Sequence, residues 1–196
     1  NGGVERGKNY DANQMNISTY SSIEFKINDK IKSVIGLRAE NFVQKYTGEN
    51  SGGTVKYDDE KVIDKLDIFP STNFIYSLKE NSNLRLAYSK TTARPSFKEA
   101  SVAQIFDPIT NRLFIGNIDL VPTYVNNFDV RYERFGESGQ MFAISGFYKD
   151  FTDPIELTFY ESAPDQITPK NLGSAKVYGI EFEFRKSLGF ILEDLN

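Results

Sequence analysis

Residues 17–43 read ISTYSSIEFKI, then NDK, then IKSVIGLRAENFV, so that two alternating runs flank one short polar turn. In both runs most odd positions are apolar, and the even positions of the first run are polar. Because side chains alternate between the two faces of a β-strand, each run predicts a strand with one apolar face. The intervening Asn28-Asp29-Lys30 predicts a tight turn between two antiparallel strands.

The same alternation continues along the chain. Its apolar positions are Phe74, Tyr76 and Leu78; Leu84, Leu86 and Tyr88; Tyr124, Phe128, Val130 and Tyr132; and Tyr178, Ile180, Phe182 and Phe184. Residues 141–150 are apolar or small at both odd and even positions, so the pattern does not orient that segment. About seven strands result, several with about ten residues, as a tilted membrane-crossing strand requires. Globular strands average about five to six residues, so the length favours a barrel wall.

The turns between these strands alternate in length. Tight turns are predicted at residues 28–30, 79–82 and 135–139, and long connections at residues 44–66, 94–121 and 152–171. In an up-and-down sheet, consecutive connections lie on opposite rims, which is the plan of an outer-membrane barrel with short periplasmic turns and long external loops. The sequence therefore predicts an all-β, antiparallel up-and-down meander that forms part of a large transmembrane β-barrel.

Composition excludes several other classes of function. The chain has 196 residues, a net charge of −4 and no basic stripe, so we expect no nucleic-acid partner. It contains no Cys and no His, which removes thiolate metal sites and the common nucleophile–base pairs of enzymes. We therefore predict no catalytic residue, no metal site and no cofactor.

Two groups of carboxylates are candidate sites by composition. Asp58, Asp59 and Glu60 match no calcium-loop spacing and are interpreted as a solvated loop tip. Glu181 and Glu183 share one face of a predicted strand, where pairing with Arg185 explains them more simply than catalysis does.

Four further segments occur in a fixed order: LRLAYSKTTARPSF (residues 84–97), GNIDLVPTY (116–124), FYKD with DPI (147–150 and 153–155) and NLGSAKVYGIE (171–181). Together they resemble barrel elements of TonB-dependent outer-membrane receptors, in which a strand ends at an Ala-Arg-Pro corner. The chain departs from the family pattern at Ile118, where Pro is usual, and at Thr123, where Glu is usual.

The resemblance extends over residues 10–190 and implies a piece of a barrel with about 22 strands and a plugged lumen. The plug and the energy-coupling box, which precede the family's barrel, are not visible, and Asn196 is not the aromatic residue that ends the family's last strand. We therefore expect residues 1–196 to be a partial receptor barrel domain without the plug and the C-terminal strands.

The resemblance also implies a function in the bacterial outer membrane. The parent receptor would import a scarce ligand, such as a siderophore, cobalamin, a glycan or a peptide, with TonB-derived energy. Expected partners are the outer-membrane lipid, the TonB energy complex acting through the absent plug region, and an unknown small ligand. Ligand contacts are expected in the loops at residues 45–65, 97–120 and 161–170, with Tyr57, Arg112, Phe114 and Tyr160 as the candidate residues.

The sequence leaves two alternative functions open. The first is a passive porin-like or adhesin-like barrel, which needs no plug. The second is a soluble β-sandwich binding module, whose two sheets would bury Phe74, Tyr76, Leu84, Tyr88, Phe128 and Phe184 between them.

Overall fold

A computed structural model describes residues 10–50 and 52–187. This part of the chain contains eleven β-strands and one 3-10 turn at Glu137–Gly139. The strands are β1 (Asp11–Asn28), β2 (Ile31–Glu49), β3 (Lys56–Lys79), β4 (Ser82–Ala93), β5 (Gln104–Asp107), β6 (Arg112–Ile115), β7 (Thr123–Phe135), β8 (Met141–Thr152), β9 (Ile155–Tyr160), β10 (Ala163–Asn171) and β11 (Ser174–Arg185). No helix in the described residues is long and apolar enough to cross a membrane.

Seven of these strands form one antiparallel sheet, which we call the wall. Its order is β1-β2-β3-β4-β7-β8-β11, so that wall strands follow one another in chain order. The predicted all-β meander and its seven strands are thereby confirmed. A second sheet of four strands, in the order β5-β6-β10-β9, was not predicted.

The three tight turns lie where the sequence places them, on one rim of the wall, which we call the turn rim. At the first turn, Asn28 Oδ1 accepts hydrogen bonds from the amides of Lys30 and Ile31, both at 2.9 Å. An Asn side chain that satisfies the backbone two and three residues ahead stabilises such a turn. Asn196 lies outside the described residues.

The first long connection was predicted wrongly. The sequence suggested a loop over residues 44–66, but β2 continues to Glu49 and β3 begins at Lys56. The β2–β3 ladder shifts register between Gln44 and Lys45 and again between Tyr46 and Gly48. Each shift interrupts the period of two, so the alternation disappears from the sequence although the strands continue.

The other two long connections each contain a hairpin. The β5–β6 hairpin lies between β4 and β7, and the β9–β10 hairpin lies between β8 and β11. A short parallel pairing joins them, with Gln166 opposite Leu113 and Ile167 opposite Phe114. The four-stranded sheet therefore depends on a contact between segments about fifty residues apart.

The wall has one apolar and one polar face, as predicted. On the apolar face, one row of paired positions crosses all seven strands: Phe25, Ser33, Phe74, Leu86, Val130, Gly146 and Ile180. This register also orients β8, which the sequence did not, because Gly146 shares its face with Phe142, Ile144 and Tyr148.

The apolar face is uncovered in the described residues. Phe128 is 47% exposed and Phe184 is 72% exposed. A sandwich would bury both residues between two sheets, so the soluble β-sandwich interpretation is wrong. In a barrel, such a face lies against lipid hydrocarbon.

The polar face carries a continuous chain of charges near the turn rim. Glu133 accepts from Arg85 at 2.6 Å and from Arg131 at 3.2 Å, and Arg131 also binds Glu183 at 2.7 Å. Arg185 completes the chain on Glu183 at 2.6 Å, as the sequence suggested. Charges of both signs that satisfy one another suit a face that encloses water.

Candidate ligand-binding cap

Residues 94–122 and 153–173, with their four-stranded sheet, lie on the rim opposite the turn rim; we call them the cap. The edge of the cap nearest the wall is fixed to it by Arg94, directly after β4. Its Nη2 lies 2.7 Å from Glu40 Oε2 and 3.7 Å from Asp67 Oδ2, and its Cζ lies 4.2 Å from the centroid of the Phe42 ring. The Tyr124 hydroxyl donates to Asp67 Oδ1 at 2.7 Å. Arg94 therefore joins the start of the cap to two neighbouring wall strands.

The next residues of the cap pack on the polar face of the extended β2–β3 hairpin. Tyr46 is only 2% exposed there. Burial raises the pKa of its hydroxyl, and a hydrogen bond with the backbone of Val102 partly opposes that rise. Ala100 and Ser101 are also buried. This packing forms the apolar core between wall and cap.

Gly116 shows how closely the cap's own segments approach one another. A Cβ added at Gly116 would lie 2.5 Å from the Ser101 carbonyl oxygen and 2.9 Å from that of Lys98. Both are backbone atoms, which cannot move aside cheaply. Glycine is therefore required at this position by close approach.

Two asparagines hold the two segments of the cap to each other. Asn171 accepts from the Val121 amide at 3.0 Å and donates to the carbonyls of Val121 and Asp153 at 3.0 and 2.8 Å. Asn117 Nδ2 donates to the Pro169 carbonyl at 3.1 Å. Side-chain amides thus supply hydrogen-bond partners to backbone groups across the two segments.

The four candidate residues lie on strands, not in the loops where the sequence analysis expected them. Tyr57 lies near the start of β3, where its ring meets that of Tyr46 edge-on at 5.8 Å. Arg112 and Phe114 are in β6, and Tyr160 ends β9. Around Tyr57 the expectation of a loop failed because of the register shifts in the β2–β3 ladder. For the other three residues it failed because the cap's hairpin strands are short, with few alternating positions.

Three cations of the cap lie over aromatic rings. Arg112 Cζ is 5.1 Å from the Phe159 ring centroid, Lys98 Nζ is 4.3 Å from that of Phe114, and Lys170 Nζ is 5.6 Å from that of Tyr160. These distances fall in the range of cation–π attraction. Sequence reasoning missed Lys98, Phe159 and Lys170, because each meets its partner only in the folded cap.

The structure brings only some of the candidates together. Phe114 and Phe159 both pair with Ile167, so they lie in one row of the four-stranded sheet, and Arg112 shares that face two residues from Phe114. Tyr160 follows Phe159 and therefore faces the opposite side. Tyr57 belongs to the extended β2–β3 hairpin.

Exposure separates binding candidates from packing residues. Phe114 is 7% exposed and lies beneath Lys98, whereas Phe159 is 53% exposed beside Arg112. An exposed ring with a neighbouring cation can accept a flat or anionic ligand group. No cluster of three metal-binding side chains occurs in residues 10–50 and 52–187. Asp59, from the group Asp58, Asp59 and Glu60, is paired with Lys45.

Comparison with known proteins gives the family. The model of the outer membrane protein beta-barrel family matches residues 4–192, nearly the whole chain. No curated protein matches the sequence.

Solved structures of receptors share the fold at low identity. The siderophore receptor PirA from Pseudomonas aeruginosa has a TM-score of 0.61 and 14% identity over 90% of this chain and 40% of its own. The Serratia marcescens hemophore receptor HasR, in complex with its hemophore HasA and heme, has a TM-score of 0.69 and 12% identity over 88% and 32%. The ferric-catecholate import receptor Fiu from E. coli K12 has a TM-score of 0.60 and 16% identity over 91% and 26%. The chain thus spans less than half the length of each receptor.

Proposed function

Because this chain belongs to the outer membrane protein beta-barrel family, we propose that it forms part of the wall and cap of an outer-membrane active transport receptor. The protein is an outer-membrane protein of bacteria. The parent receptor would bind a scarce ligand at the cap and import it with TonB-derived energy, through a plug region outside residues 1–196. The single observation that carries this proposal is the ordered cap, whose two segments are joined by Asn171 and which is anchored to the wall by Arg94.

An anchored cap supports a receptor better than a passive pore. Loops that present a binding surface have to be held in a defined arrangement, because ordering them at the moment of binding costs free energy. The names of the structurally similar receptors, for a siderophore, a heme-carrying hemophore and a ferric catecholate, put iron-carrying ligands first among those to test. Cobalamin, glycans and peptides remain as the other ligand classes.

Within the cap, we assign ligand contact to Arg112, Tyr57 and Tyr160. Phe114 is buried, and we assign it the role of supporting the binding face from beneath. The guanidinium of Arg112 can donate in a bidentate manner to an anionic ligand while its plane lies near the Phe159 ring.

The test uses the full-length receptor and isothermal calorimetry with a ferric catecholate siderophore, heme and cobalamin. We expect Arg112→Ala to weaken binding of the accepted ligand about tenfold, since hydrogen bonds to a charged group contribute roughly 1.5–3 kcal/mol. Tyr57→Ala and Tyr160→Ala should weaken it less. Arg134→Ala, at the turn rim, is the matched control and should leave binding unchanged.

Energy dependence distinguishes the receptor from the passive pore. Uptake of the accepted ligand into cells should stop when the TonB energy complex is deleted. Uptake that continues at the same rate without that complex would refute active transport and favour the porin-like barrel.

A further inference from the structure

Two neighbouring rows on the apolar face of the wall mark a sharp change in chemistry. One row is aromatic and consists of Tyr88, Phe128, Tyr148 and Tyr178 in register. The next row towards the cap is polar and consists of Lys90, Asn126, Asp150 and Lys176. Rows two residues apart are separated by about 6.7 Å along a strand. Aromatic rings beside polar groups are typical of the boundary between hydrocarbon and headgroups.

On the side of the aromatic row towards the turn rim, the wall contains an apolar groove of about 630 Å³. Gly146 lies at its centre, between Val130 and Ile180 in the register. A Cβ added at Gly146 would find its nearest heavy atom, Val130 Cγ1, at 3.4 Å, an ordinary contact. The groove exists because Gly146 contributes no side chain where its neighbours contribute apolar ones.

On the side of the aromatic row towards the cap, a second cleft of about 550 Å³ is lined by both polar and apolar side chains. Its lining residues are Ile68, Pro70, Tyr88, Lys90, Tyr124, Asn126 and Thr152, among which Lys90 carries the charge. Lys90 Nζ lies 5.1 Å from the Tyr124 ring centroid. The Tyr88 hydroxyl donates to Asn126 Oδ1 at 3.0 Å, so that the amide nitrogen of Asn126 remains to donate to a ligand.

Tyr88 lines both cavities, which therefore follow one another along the wall. We propose that this pair of cavities binds one phosphate-bearing membrane lipid, with an acyl chain in the groove at Gly146 and the phosphate at Lys90. The occupant is identified by its surroundings: the wall of an outer-membrane barrel lies in lipid, and a cation lies at the headgroup level directly above an apolar groove. Asp150 is opposite Lys176 in the register, one strand beyond Asn126.

This site goes beyond the proposed transport function, because it depends on the membrane location and not on the imported ligand. The assignment of the phosphate to Lys90 is tested on the full-length receptor in nanodiscs of equal phosphatidylglycerol and phosphatidylcholine. Native mass spectrometry measures the lipids that stay bound when the receptor is released from the nanodisc. Wild-type receptor should retain phosphatidylglycerol preferentially. Lys90→Gln should lower that retention about fivefold, the effect of one Lys near an anionic surface.

Lys56→Gln is the control for the lost charge, because this side chain is 76% exposed at the start of β3, beyond the segment that pairs with β4. It should leave lipid retention unchanged. Equal retention in the Lys90 and Lys56 variants, or no preference for phosphatidylglycerol in the wild type, would overturn the headgroup assignment.

The acyl-chain half is tested with Gly146→Leu, which fills the groove. It should lower retention of both lipids roughly tenfold, as expected when about two methylene groups lose their contact. Ser21→Leu adds the same side chain to the apolar face on β1, outside the groove, and should have no effect. Equal effects of the two variants would overturn the assignment, as would a receptor dimer in the mass spectrum that Gly146→Leu abolishes.

Discussion

The wall strands β4, β7, β8 and β11 and the cap are built in different ways. The ladders β4–β7, β7–β8 and β8–β11 run without a register shift, so each strand is aligned by its neighbours along its whole length. The cap's β6–β10 ladder consists of two residue pairs. Asn117 and Asn171 join the cap's two segments, and Arg94 attaches the cap to the wall. The wall is thus specified by a repeated pattern and the cap by a few particular contacts.

This difference predicts the largest effect for a charge on the wall. Ile180→Arg places a guanidinium on the lipid-facing row and should destabilise the folded receptor by about 2–4 kcal/mol. Ile109→Arg makes the same change at the tip of the cap, where Ile109 is 93% exposed, and should have almost no effect. Urea unfolding in bilayers measures both. Similar losses of stability in the two variants would show that the wall's apolar face does not lie in lipid.

The second prediction concerns the contact that joins the two regions. Arg94→Met removes the 2.7 Å pairing with Glu40, which is 5% exposed, and should cost about 2 kcal/mol. Arg38 still lies 3.2 Å from Glu40, so the loss stops short of a fully unpaired charge. Hydrogen exchange should accelerate in residues 94–122 and remain slow in β7 and β8. Arg94→Lys should restore part of the protection, and an Arg94→Met receptor with unchanged exchange would contradict the anchoring role.

The third prediction tests how a side-chain amide joins the two segments of the cap. Asn171→Ala removes three hydrogen bonds to the backbone of Val121 and Asp153 and should cost about 1.5 kcal/mol. Amides of β9 and β10 should exchange faster and ligand affinity should fall, while the wall keeps its protection. Exposed Asn13 on β1 provides the control, since Asn13→Ala should change neither quantity.

The smallest effect is expected from pH at the cap's tip. The Thr110 hydroxyl and the Ile109 amide donate to Asp107 at 2.8 and 2.9 Å, and they lower the pKa of its carboxyl. A lowered pKa in the folded state stabilises the hairpin above the pKa of the unfolded state, and this stabilisation is lost as pH falls through the folded value. Exchange protection of the β5–β6 turn should therefore decrease slightly on acidification. Asp107→Asn should abolish that pH dependence; an unchanged pH response in this variant would exclude Asp107 as its source.

The candidate site was only partly accessible to sequence reasoning. Arg112 could be identified because it is a charged residue in a long predicted connection. Its partner Phe159 could not, because the contact requires β6 and β10 to pair in parallel across about fifty residues. Phe114 has the composition of a binding residue, yet its burial depends on Lys98 and the packing of the cap.

The sequence by itself determined the wall. Period-two alternation is local and repeated, so it established the strands, their apolar and polar faces and the tight turns at Asn28 and Gly136. Only the tertiary structure decided where register shifts in the β2–β3 ladder interrupt the alternation, how two hairpins join into one cap and where a missing side chain at Gly146 opens a groove. The physical reason is range: a strand's faces follow from neighbouring residues, whereas a bulge, a cap or a groove depends on segments that meet only after folding.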